Sequence, residues 1–383
     1  MRHIRRVAIL ALLALLTSSA FAQRDDIKAC WIYIGPVGDY GYSYAHDLGR
    51  LQTMADLPSI ETAYVEAVAE ADVEATVDQL VADGCNVIFG TSFGFGDGIL
   101  ASAERYPDVI FAHATGVERA PNVLTYMADF YQVYYINGLI AGAVTESNTV
   151  GYVAAFPIPE VKRHINAFAL GVQEVNPDAK VVVRWIYNWF DPAGATEATE
   201  ALIADGADVF AYTEDTPTVP QVAAARGLTS FAHYASMEAF APETLASGQL
   251  VHWGVLTTDI LSKVMDGPYT ADNLEDVDYF WLMAEGSVEA GVEPGVVVHP
   301  NYVDQLQAHM VETDAGTEPV YDLVMRRVAQ MNASPVEYEP FAGPVSDRRG
   351  NLVYGEGEGP TVLELLGMQG AAPNVEGPWE GEP

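Results

Sequence analysis

The sequence predicts an α/β protein made of two similar lobes, each with a parallel sheet covered by helices. Short apolar runs alternate with helical patterns from residue 28 onward, which is typical of parallel sheets with helices on both faces. The same alternation starts again after the segment TESNTV, residues 145–150. The chain has 383 residues, half of them hydrophobic, so at about 100–200 residues per domain it has material for two cores.

The individual elements follow from apolar periodicity. The strand-like runs of the first series are CWIYIG, TAYVEAV, CNVIFG, DVIFAHAT and NVLTYM, and those of the second are TVGYVAAF, KVVVRWIYNW, ADVFAYT, LTSFAHY and QLVHWG. Helical patterns lie between them, for example DVEATVDQLVADG, which has one apolar face and a glycine as its stop. The C-terminal part is rich in Pro, Gly and Glu, with one clear helix at PVYDLVMRRVAQM and a hairpin-like segment, FAGPVSDRRGNLVYGEGEG.

The N-terminus has the pattern of a cleaved signal peptide over residues 1–22. A basic start precedes an apolar core from Val7 to Leu16, and the segment ends in Ala20-Phe21-Ala22. The apolar core is too short to span a bilayer, and no cysteine follows it directly. We therefore expect a periplasmic or secreted protein without a lipid anchor and without membrane insertion.

The charge excludes several classes of partner. Lys and Arg together number 18 against 53 Asp and Glu, a formal net charge of −35. Such a chain repels nucleic acid and anionic membranes, and it disfavours a highly anionic ligand. Acidic surfaces of this kind also suit high-salt surroundings, where screening relieves self-repulsion.

Two cysteines, Cys30 and Cys85, each open an apolar strand-like run. If the two strands are neighbours in a parallel sheet, both cysteines lie at the same end and can form a disulfide, which export would permit. The alternative is a pair of buried free thiols. The sequence leaves both open.

The segment GPVGDYGYSYAHDLGR, residues 35–50, follows the first strand, where ligands of open parallel sheets bind. Its glycines are spaced G-x-x-G-x-x-G, which is not the dinucleotide fingerprint, and no Walker lysine follows. Tyr42 and Tyr44 can instead form an aromatic wall, with Asp39 or His46 as polar partners. The alternative is that these tyrosines only pack the lobe.

The segment GTSFG, residues 90–94, allows an enzymatic interpretation. It has the G-x-S-x-G pattern of a nucleophile elbow, so Ser92 is a candidate nucleophile with His113 or His233 as its base. However, the helix expected after an elbow begins only near Asp97, and no oxyanion segment occurs. The binding interpretation is that the cleft is lined after the third strand by Thr91, Ser92, Phe93, Phe95 and Asp97.

Two loops of the second lobe repeat this arrangement. YNWFDPAG, residues 187–194, places Trp189 and Phe190 after a strand, and TEDTP, residues 213–217, places two carboxylates after the next. The paired acids can act as general acid and base, bind ring or amino nitrogens of a ligand, or cap the helix that begins near Pro217. No metal-binding motif is present, so neither a metal nor a cofactor is expected.

Several of these segments, together with NGLIAGAVTESNTVGYVAAFPIPEVKRHINAFALGVQEVNP, resemble the basic-membrane-protein family across residues 28–370. These are substrate-binding proteins of ABC importers, similar to the purine nucleoside receptors of spirochaetes. The resemblance implies a type I periplasmic binding fold, in which two Rossmann-like lobes joined by a hinge close over a purine base or nucleoside.

The resemblance also implies roles for individual residues. Tyr42 and Trp189 fall on the two aromatics that sandwich the base, and Asp39, Asp97 and Asp215 fall on acidic ligand contacts. Tyr44, Thr91, Phe93, Phe95, Phe190 and Tyr234 complete the expected lining, and Lys263 matches a basic residue near the hinge. One departure occurs in SFAHYASMEAFAP, where Glu238 is the only acid near the position at which relatives hold ribose. This departure favours a base or an altered ligand.

The sequence thus predicts both the boundaries of the two lobes and the function of the protein. Lobe 1 is expected to comprise residues 23–145 plus 254–288, and lobe 2 residues 146–253 plus 289–383. The expected function is a non-enzymatic periplasmic binding protein, a monomer, that delivers a purine base such as adenine, or a purine nucleoside, to an ABC transporter permease. The alternatives are a secreted serine hydrolase using Ser92 and a sensory ligand-binding receptor.

Overall fold

A computed structural model describes residues 26–381, so the signal peptide expected at residues 1–22 lies outside the described part of the chain. The strands are β1 (Lys28–Tyr33), β2 (Glu61–Val65), β3 (Val87–Thr91), β4 (Ile110–Ala114), β5 (Val123–Ala128), β6 (Thr149–Ala154), β7 (Lys180–Trp185), β8 (Val209–Thr213), β9 (Thr229–Tyr234), β10 (Leu245–Val251), β11 (Asp278–Trp281), β12 (Val288–Ala290), β13 (Met310–Thr313), β14 (Gly316–Pro319), β15 (Val345–Ser346), β16 (Leu352–Tyr354) and β17 (Val375–Glu376).

The α-helices lie between these strands. They are α1 (Tyr42–Asp56), α2 (Val73–Ala82), α3 (Gly96–Arg105), α4 (Tyr131–Val144), α5 (Pro159–Val175), α6 (Pro192–Ala204), α7 (Thr218–Ala224), α8 (Trp253–Met265), α9 (Pro300–Ala308), α10 (Val320–Met331) and α11 (Val362–Leu366). The helix predicted at PVYDLVMRRVAQM is therefore present as α10, and the predicted hairpin is present as the antiparallel pair β15–β16.

The two large sheets share one strand order. The first runs β11-β5-β4-β3-β1-β2 and the second β12-β10-β9-β8-β6-β7-β17. In each, the first five strands of the series take the order 2-1-3-4-5, which is that of a doubly wound sheet. Their pairings are parallel except for the edge pair β10–β12. The predicted α/β fold with two Rossmann-like lobes is confirmed.

Burial explains why the strands are continuous apolar runs. Every residue of β3, β4, β5 and β6 is buried, since helices cover both faces of each sheet. Helix α4 is buried on all sides because it packs against α5, β10 and α10. Its mean hydropathy is accordingly high all round, with no polar face.

The chain passes between the two sheets three times, before β6, after β10 and after β11. The expected lobe boundaries stay a prediction. Helix α4 packs against α5, β10 and α10. Helix α8 packs against α1. This packing is close, because a Cβ atom at Gly49 would lie 2.7 Å from the Cβ of Trp253.

Cys30 and Cys85 form a disulfide with a Cα–Cα distance of 6.0 Å. Their strands are neighbours, since Cys30 pairs in register with Ile88 of β3. Of the two alternatives left by the sequence, the structure has the cross-link. It joins parts of the first lobe that are 55 residues apart in the chain.

The C-terminal segment packs on the second lobe. Asn166 of α5 donates a hydrogen bond to the carbonyl of Gly370 at 2.7 Å and accepts one from the backbone N–H of Ala372 at 2.8 Å. Strand β17 then adds to the edge of the second sheet beside β7.

Within residues 26–381, none of the helices has both the length and the apolar character needed to cross a membrane.

Candidate ligand-binding site

A cleft of about 320 Å³, its opening to solvent included, lies between the two lobes. Its lining residues are Ile34, Tyr42, Ser92, Phe93, Thr115, Glu160, Trp189, Asp215 and Tyr234. Each belongs to the carboxyl end of a parallel strand or to the loop or helix start that follows it. The cleft therefore lies where open α/β sheets bind their ligands, and it is supplied by both lobes in the same way.

The first-lobe wall consists of Ile34, Tyr42, Ser92, Phe93 and Thr115, and it carries no ionisable carboxylate or cation. Tyr42 is the first residue of α1, and its ring meets the ring of His46 edge-on at 4.5 Å. Thr115 directly follows β4 with a φ of +58°, a left-handed conformation that is strained for a β-branched residue.

The second-lobe wall consists of Glu160, Trp189, Asp215 and Tyr234. The Trp189 ring packs against Phe156 at 5.4 Å and is half-buried. Tyr234 ends β9 with a φ of +65°, and its ring meets Tyr42 of the other lobe edge-on at 5.4 Å. One strained residue thus lies on each side of the cleft.

Both carboxyl groups of the cleft lie in the second-lobe wall without a hydrogen-bonded cation. Asp215 is 3% exposed, and its Oδ1 atom has no hydrogen-bond partner within residues 26–381. Burial raises the pKa of Asp215 well above its usual range, and the nearby carboxylates of Asp39 and Glu214 raise it further. Burial also raises the pKa of Glu160, against the lowering effect of His164.

The two lobes are in contact at the mouth of the cleft. A Cβ atom at Gly41 would lie 2.7 Å from the backbone of Asp215, so only glycine fits there. The rings of Tyr40 and Phe240 also meet edge-on at 5.0 Å across the same boundary. The structure is thus a closed arrangement of the two lobes.

A second compartment of about 270 Å³, its opening to solvent included, adjoins the cleft. It shares Phe93, Thr115 and Glu160 with the cleft and extends to Arg163 and to Leu366 of α11. Arg163 is fully buried; its Nε donates to the Asp129 carboxylate at 3.0 Å and its guanidinium also donates to the Leu365 carbonyl. Although burial alone would raise the pKa of Asp129, Arg163 holds that pKa well below its usual range.

The structure brings six of the residues expected to line the cleft together there: Tyr42, Ser92, Phe93, Trp189, Asp215 and Tyr234. Their roles toward a ligand remain a prediction. The alternative that Asp215 caps α7 does not describe the structure, because no side chain caps that helix and Pro217 occupies the N-cap position.

Asp39 lies outside the cleft lining. It is buried, and its carboxylate accepts hydrogen bonds from the backbone N–H groups of Gly41, Ser43 and Tyr44, at 2.7, 3.1 and 3.0 Å. These groups belong to the start of α1, where unpaired amides need an acceptor. Tyr44 packs against Tyr40 at 5.4 Å, also outside the lining.

Four further expected residues also lie outside the lining. Thr91 is buried and donates to the Ile32 carbonyl at 2.8 Å, and Phe95 is part of the first-lobe core. Asp97 is exposed and lies in a separate groove beside Glu70 and His113, while Phe190 is 43% exposed.

Two residues carried over from the resemblance lie elsewhere. Lys263 donates to Asp259 at 2.7 Å and to the Tyr279 hydroxyl at 3.0 Å, within the first lobe. Glu238 faces His299 at 3.6 Å and is absent from the lining. The acid expected to hold ribose is therefore not supplied by Glu238.

The enzymatic interpretation fails on geometry. His113 Nε2 bonds to the backbone carbonyl of Ser92 at 2.7 Å, not to its hydroxyl. His233 lies in the second-lobe core, where its Nδ1 pairs with Gln249 and Tyr134. Neither histidine is placed to take a proton from the Ser92 hydroxyl.

The sequence reasoning missed Ile34, Thr115 and Glu160. Ile34 and Thr115 directly follow β1 and β4, so their position at strand ends was the available signal. Glu160 lies in the first turn of α5, several residues beyond β6, and no spacing in the sequence marks it. Leu366 of the second compartment comes from the C-terminal segment, which only the fold brings near.

Comparison with known proteins places these features in a family. Residues 27–279 match the family described as "Bmp: ABC transporter substrate-binding protein PnrA-like". The chain is 39% identical, over 76% of its length and 72% of the relative's, to a Haloferax volcanii protein named as an ABC transporter glucose-binding protein. It is 35% identical, over 92% of its length and 94% of the relative's, to a purine-binding protein of Brucella abortus.

Solved structures show the same fold. An ABC transporter solute-binding protein from Aeropyrum pernix K1 matches with a TM-score of 0.66 at 20% identity, covering 81% of this chain and 92% of that one. A second, from Conexibacter woesei DSM 14684, matches with a TM-score of 0.62 at 17% identity, covering 82% and 99%. The chain belongs to the Bmp family of ABC transporter substrate-binding proteins, and it is a solute-binding protein, not an enzyme.

Proposed function

We propose that this Bmp-family protein is the periplasmic receptor of an ABC importer and that its ligand is a purine base or a purine nucleoside. The observation that carries the proposal is the pairing of aromatic rings with two carboxyl groups in one small cleft. Four lining residues are aromatic, and two others, Glu160 and Asp215, carry carboxyl groups.

Aromatic walls suit a flat heterocycle. Tyr42 and Trp189 line the same cleft from opposite lobes, so a ring between them gains contact with both. Stacking of this kind adds about 0.5–1.5 kcal/mol per pair beyond the apolar area that it buries. Closure of the lobes then completes the site, because neither wall surrounds a ligand alone.

The carboxylates supply polarity of one kind. Each carboxyl group offers acceptor oxygens, so Glu160 and Asp215 suit a ligand that presents N–H donors. A buried acceptor left unpaired is costly, which penalises ligands that lack those donors. The cleft lining contains no Lys, Arg or His, and so it offers no cation to a phosphate group.

The sandwich is tested by replacing Trp189. We expect Trp189→Ala to weaken purine binding by about 2 kcal/mol, or roughly 30-fold, from lost area and stacking. Isothermal titration calorimetry with adenine and adenosine gives the affinities. Phe190→Ala is the matched control, since Phe190 is the exposed neighbour outside the lining. Equal affinity in the Trp189 variant and the wild type would contradict the sandwich.

A second candidate ligand is a sugar, because the Haloferax relative is named for glucose binding. Aromatic faces and carboxylates also bind sugars, but a sugar presents acceptors as well as donors at every hydroxyl. The side chains of the cleft offer donors to such acceptors through hydroxyl groups, as in Ser92 and Tyr42, and through the indole N–H of Trp189. A thermal-shift screen that compares glucose with purine bases and nucleosides decides between the two.

The partner and setting are part of the same proposal. An importer requires a permease and a periplasmic location, whereas a sensory receptor would use the same closing lobes without transport. Genes for a permease and an ATPase beside the coding gene would support import. We propose a monomer, which analytical ultracentrifugation with and without ligand tests directly.

A further inference from the structure

The carboxylate of Glu160 lies at a position that no other acid of the cleft shares. Glu160 lines both the cleft and the second compartment, together with Phe93 and Thr115. It therefore stands where the cleft and the second compartment meet. A group that extends from a base in the cleft toward the second compartment lies against these three shared residues, of which Glu160 alone carries a charge.

Glu160 has no partner of its own within residues 26–381. Neither a hydrogen bond nor an ion pair engages its carboxylate, although Arg163 and His164 follow it on the same helix. Arg163 is turned away to Asp129 at 3.0 Å, and His164 faces the same Asp129 at 3.6 Å. The acceptor at the junction is thus left for a ligand.

Asp215 supplies an independent second acceptor. Its residue is 3% exposed and lines the cleft, and its Oδ1 atom is unpartnered. It comes from the loop after β8, whereas Glu160 comes from the start of α5 after β6. The cleft therefore offers acceptors from two separate segments, which fits a ligand with N–H donors on more than one edge.

We propose that Glu160 selects a free purine base over its nucleoside, because it accepts the imidazole-ring N–H that a nucleoside lacks and blocks the junction that ribose would cross. The inference rests on the proposed function, since it concerns the same cleft. A free base carries N–H donors on both its pyrimidine and its imidazole edges. A nucleoside has replaced the imidazole N–H with ribose, so the hydrogen bond from the ring to Glu160 is lost and the bulky sugar must fit at the position that Glu160 occupies.

The sharpest probe is 9-methyladenine, which removes the N–H with one methyl group and leaves the rest of adenine unchanged. We expect the wild type to bind adenine about ten- to a hundredfold more tightly than 9-methyladenine or adenosine. In Glu160→Ala, adenine affinity falls about tenfold or more, and the preference for adenine over 9-methyladenine and adenosine disappears. Calorimetric titration of the three ligands gives these ratios.

Asp97→Ala is the matched control, because Asp97 is an exposed carboxylate in the neighbouring groove. It should keep the wild-type preference. Glu160→Gln keeps the size of the side chain and the carbonyl acceptor, so it should still bind adenine and still reject adenosine. Thermal melting of each variant shows that the fold is retained.

The outcomes separate the two proposals. Equal binding of adenine and 9-methyladenine by the wild type, or an unchanged preference in Glu160→Ala, overturns the role of Glu160 while purine binding stands. Binding of adenosine by Glu160→Gln as tightly as adenine also overturns it. Failure of every purine to bind the wild type overturns the proposed function, and this inference falls with it.

Discussion

The two walls of the cleft are built by the same strand order but differ in charge. The first-lobe wall contributes hydroxyl, aliphatic and aromatic groups, while the second-lobe wall contributes Glu160 and Asp215. The first lobe also has acids after its strands, but Asp39 bonds to backbone amides and Asp97 faces another groove. The comparison teaches that acids after strands have different surroundings: backbone amides engage Asp39, whereas Glu160 and Asp215 line the cleft.

The lobes also differ in how they are held together. The first lobe carries the disulfide between Cys30 and Cys85, which are the only cysteines of the sequence. The second lobe is covered instead by the C-terminal segment, through Asn166 and the added strand β17. A thiol reductant should therefore change the stability of the first lobe, which the disulfide cross-links, more than that of the second lobe.

The largest expected effect comes from removing the disulfide. A cross-link spanning 55 residues stabilises by about 4 kcal/mol in the chain-entropy description. We expect the double variant Cys30→Ala, Cys85→Ala to lose about that much unfolding free energy, mainly in the first lobe. Ligand affinity should stay unchanged, since neither cysteine lines the cleft. Guanidinium denaturation followed by fluorescence measures the change.

Reduction of the wild type supplies the control for this experiment. A thiol reductant should reproduce the loss in the wild type and have no effect on the double variant. Equal stability of all three samples would show that the cross-link adds nothing to the first lobe.

The next prediction compares Asp39, which accepts hydrogen bonds from backbone amides, with Asp215, which lines the cleft. Asp39→Asn should lower the unfolding free energy by about 2 kcal/mol, because three amide hydrogen bonds to a charged acceptor are weakened. Asp215→Asn should instead leave the ligand-free protein as stable or more stable at neutral pH, and weaken ligand binding about tenfold. Parallel melting and titration of the two variants check both halves.

The pH dependence of Asp215 follows from its raised pKa. The folded protein keeps this proton to a higher pH than the unfolded chain does, so the stability it contributes is present at acidic pH. That contribution is lost as pH rises from the unfolded pKa, about 4, through the raised folded pKa. Asp215→Asn should flatten this part of the stability profile; an unchanged profile would contradict the assignment.

The smallest expected effect concerns the contact between the lobes. Gly41→Ala places a Cβ atom 2.7 Å from the backbone of Asp215, so the lobes must stay slightly apart. We expect about a tenfold loss of affinity, or about 1.4 kcal/mol, without loss of stability in the empty protein. Gly38→Ala is the control in the same loop, because nothing lies within 4 Å of its Cβ position. Small-angle scattering with saturating ligand would show a closed Gly41→Ala variant if the prediction is wrong.

The sequence alone determined the fold and the place of the site. Apolar runs alternating with helices predicted two parallel sheets, because strands covered on both faces must be apolar throughout, as β3 and β6 are. The rule that ligands bind beyond strand ends then pointed to the loops that hold Tyr42, Trp189 and Asp215. The resemblance to a known family was confirmed by the family match over residues 27–279.

Only the tertiary structure decided which side chains of those loops line the cleft. Asp39 and Asp215 have the same chemistry and similar positions in the sequence pattern. Backbone amides of α1 engage Asp39, whereas Asp215 lines the cleft and its Oδ1 atom has no partner among residues 26–381. Glu160 and Leu366 reach the site because α5 and the C-terminal segment fold back against it. The direction of a side chain depends on the three-dimensional arrangement of donors around it. The contact between the two lobes joins segments that are distant in the chain. Local spacing in the sequence encodes neither the direction of a side chain nor the meeting of these segments.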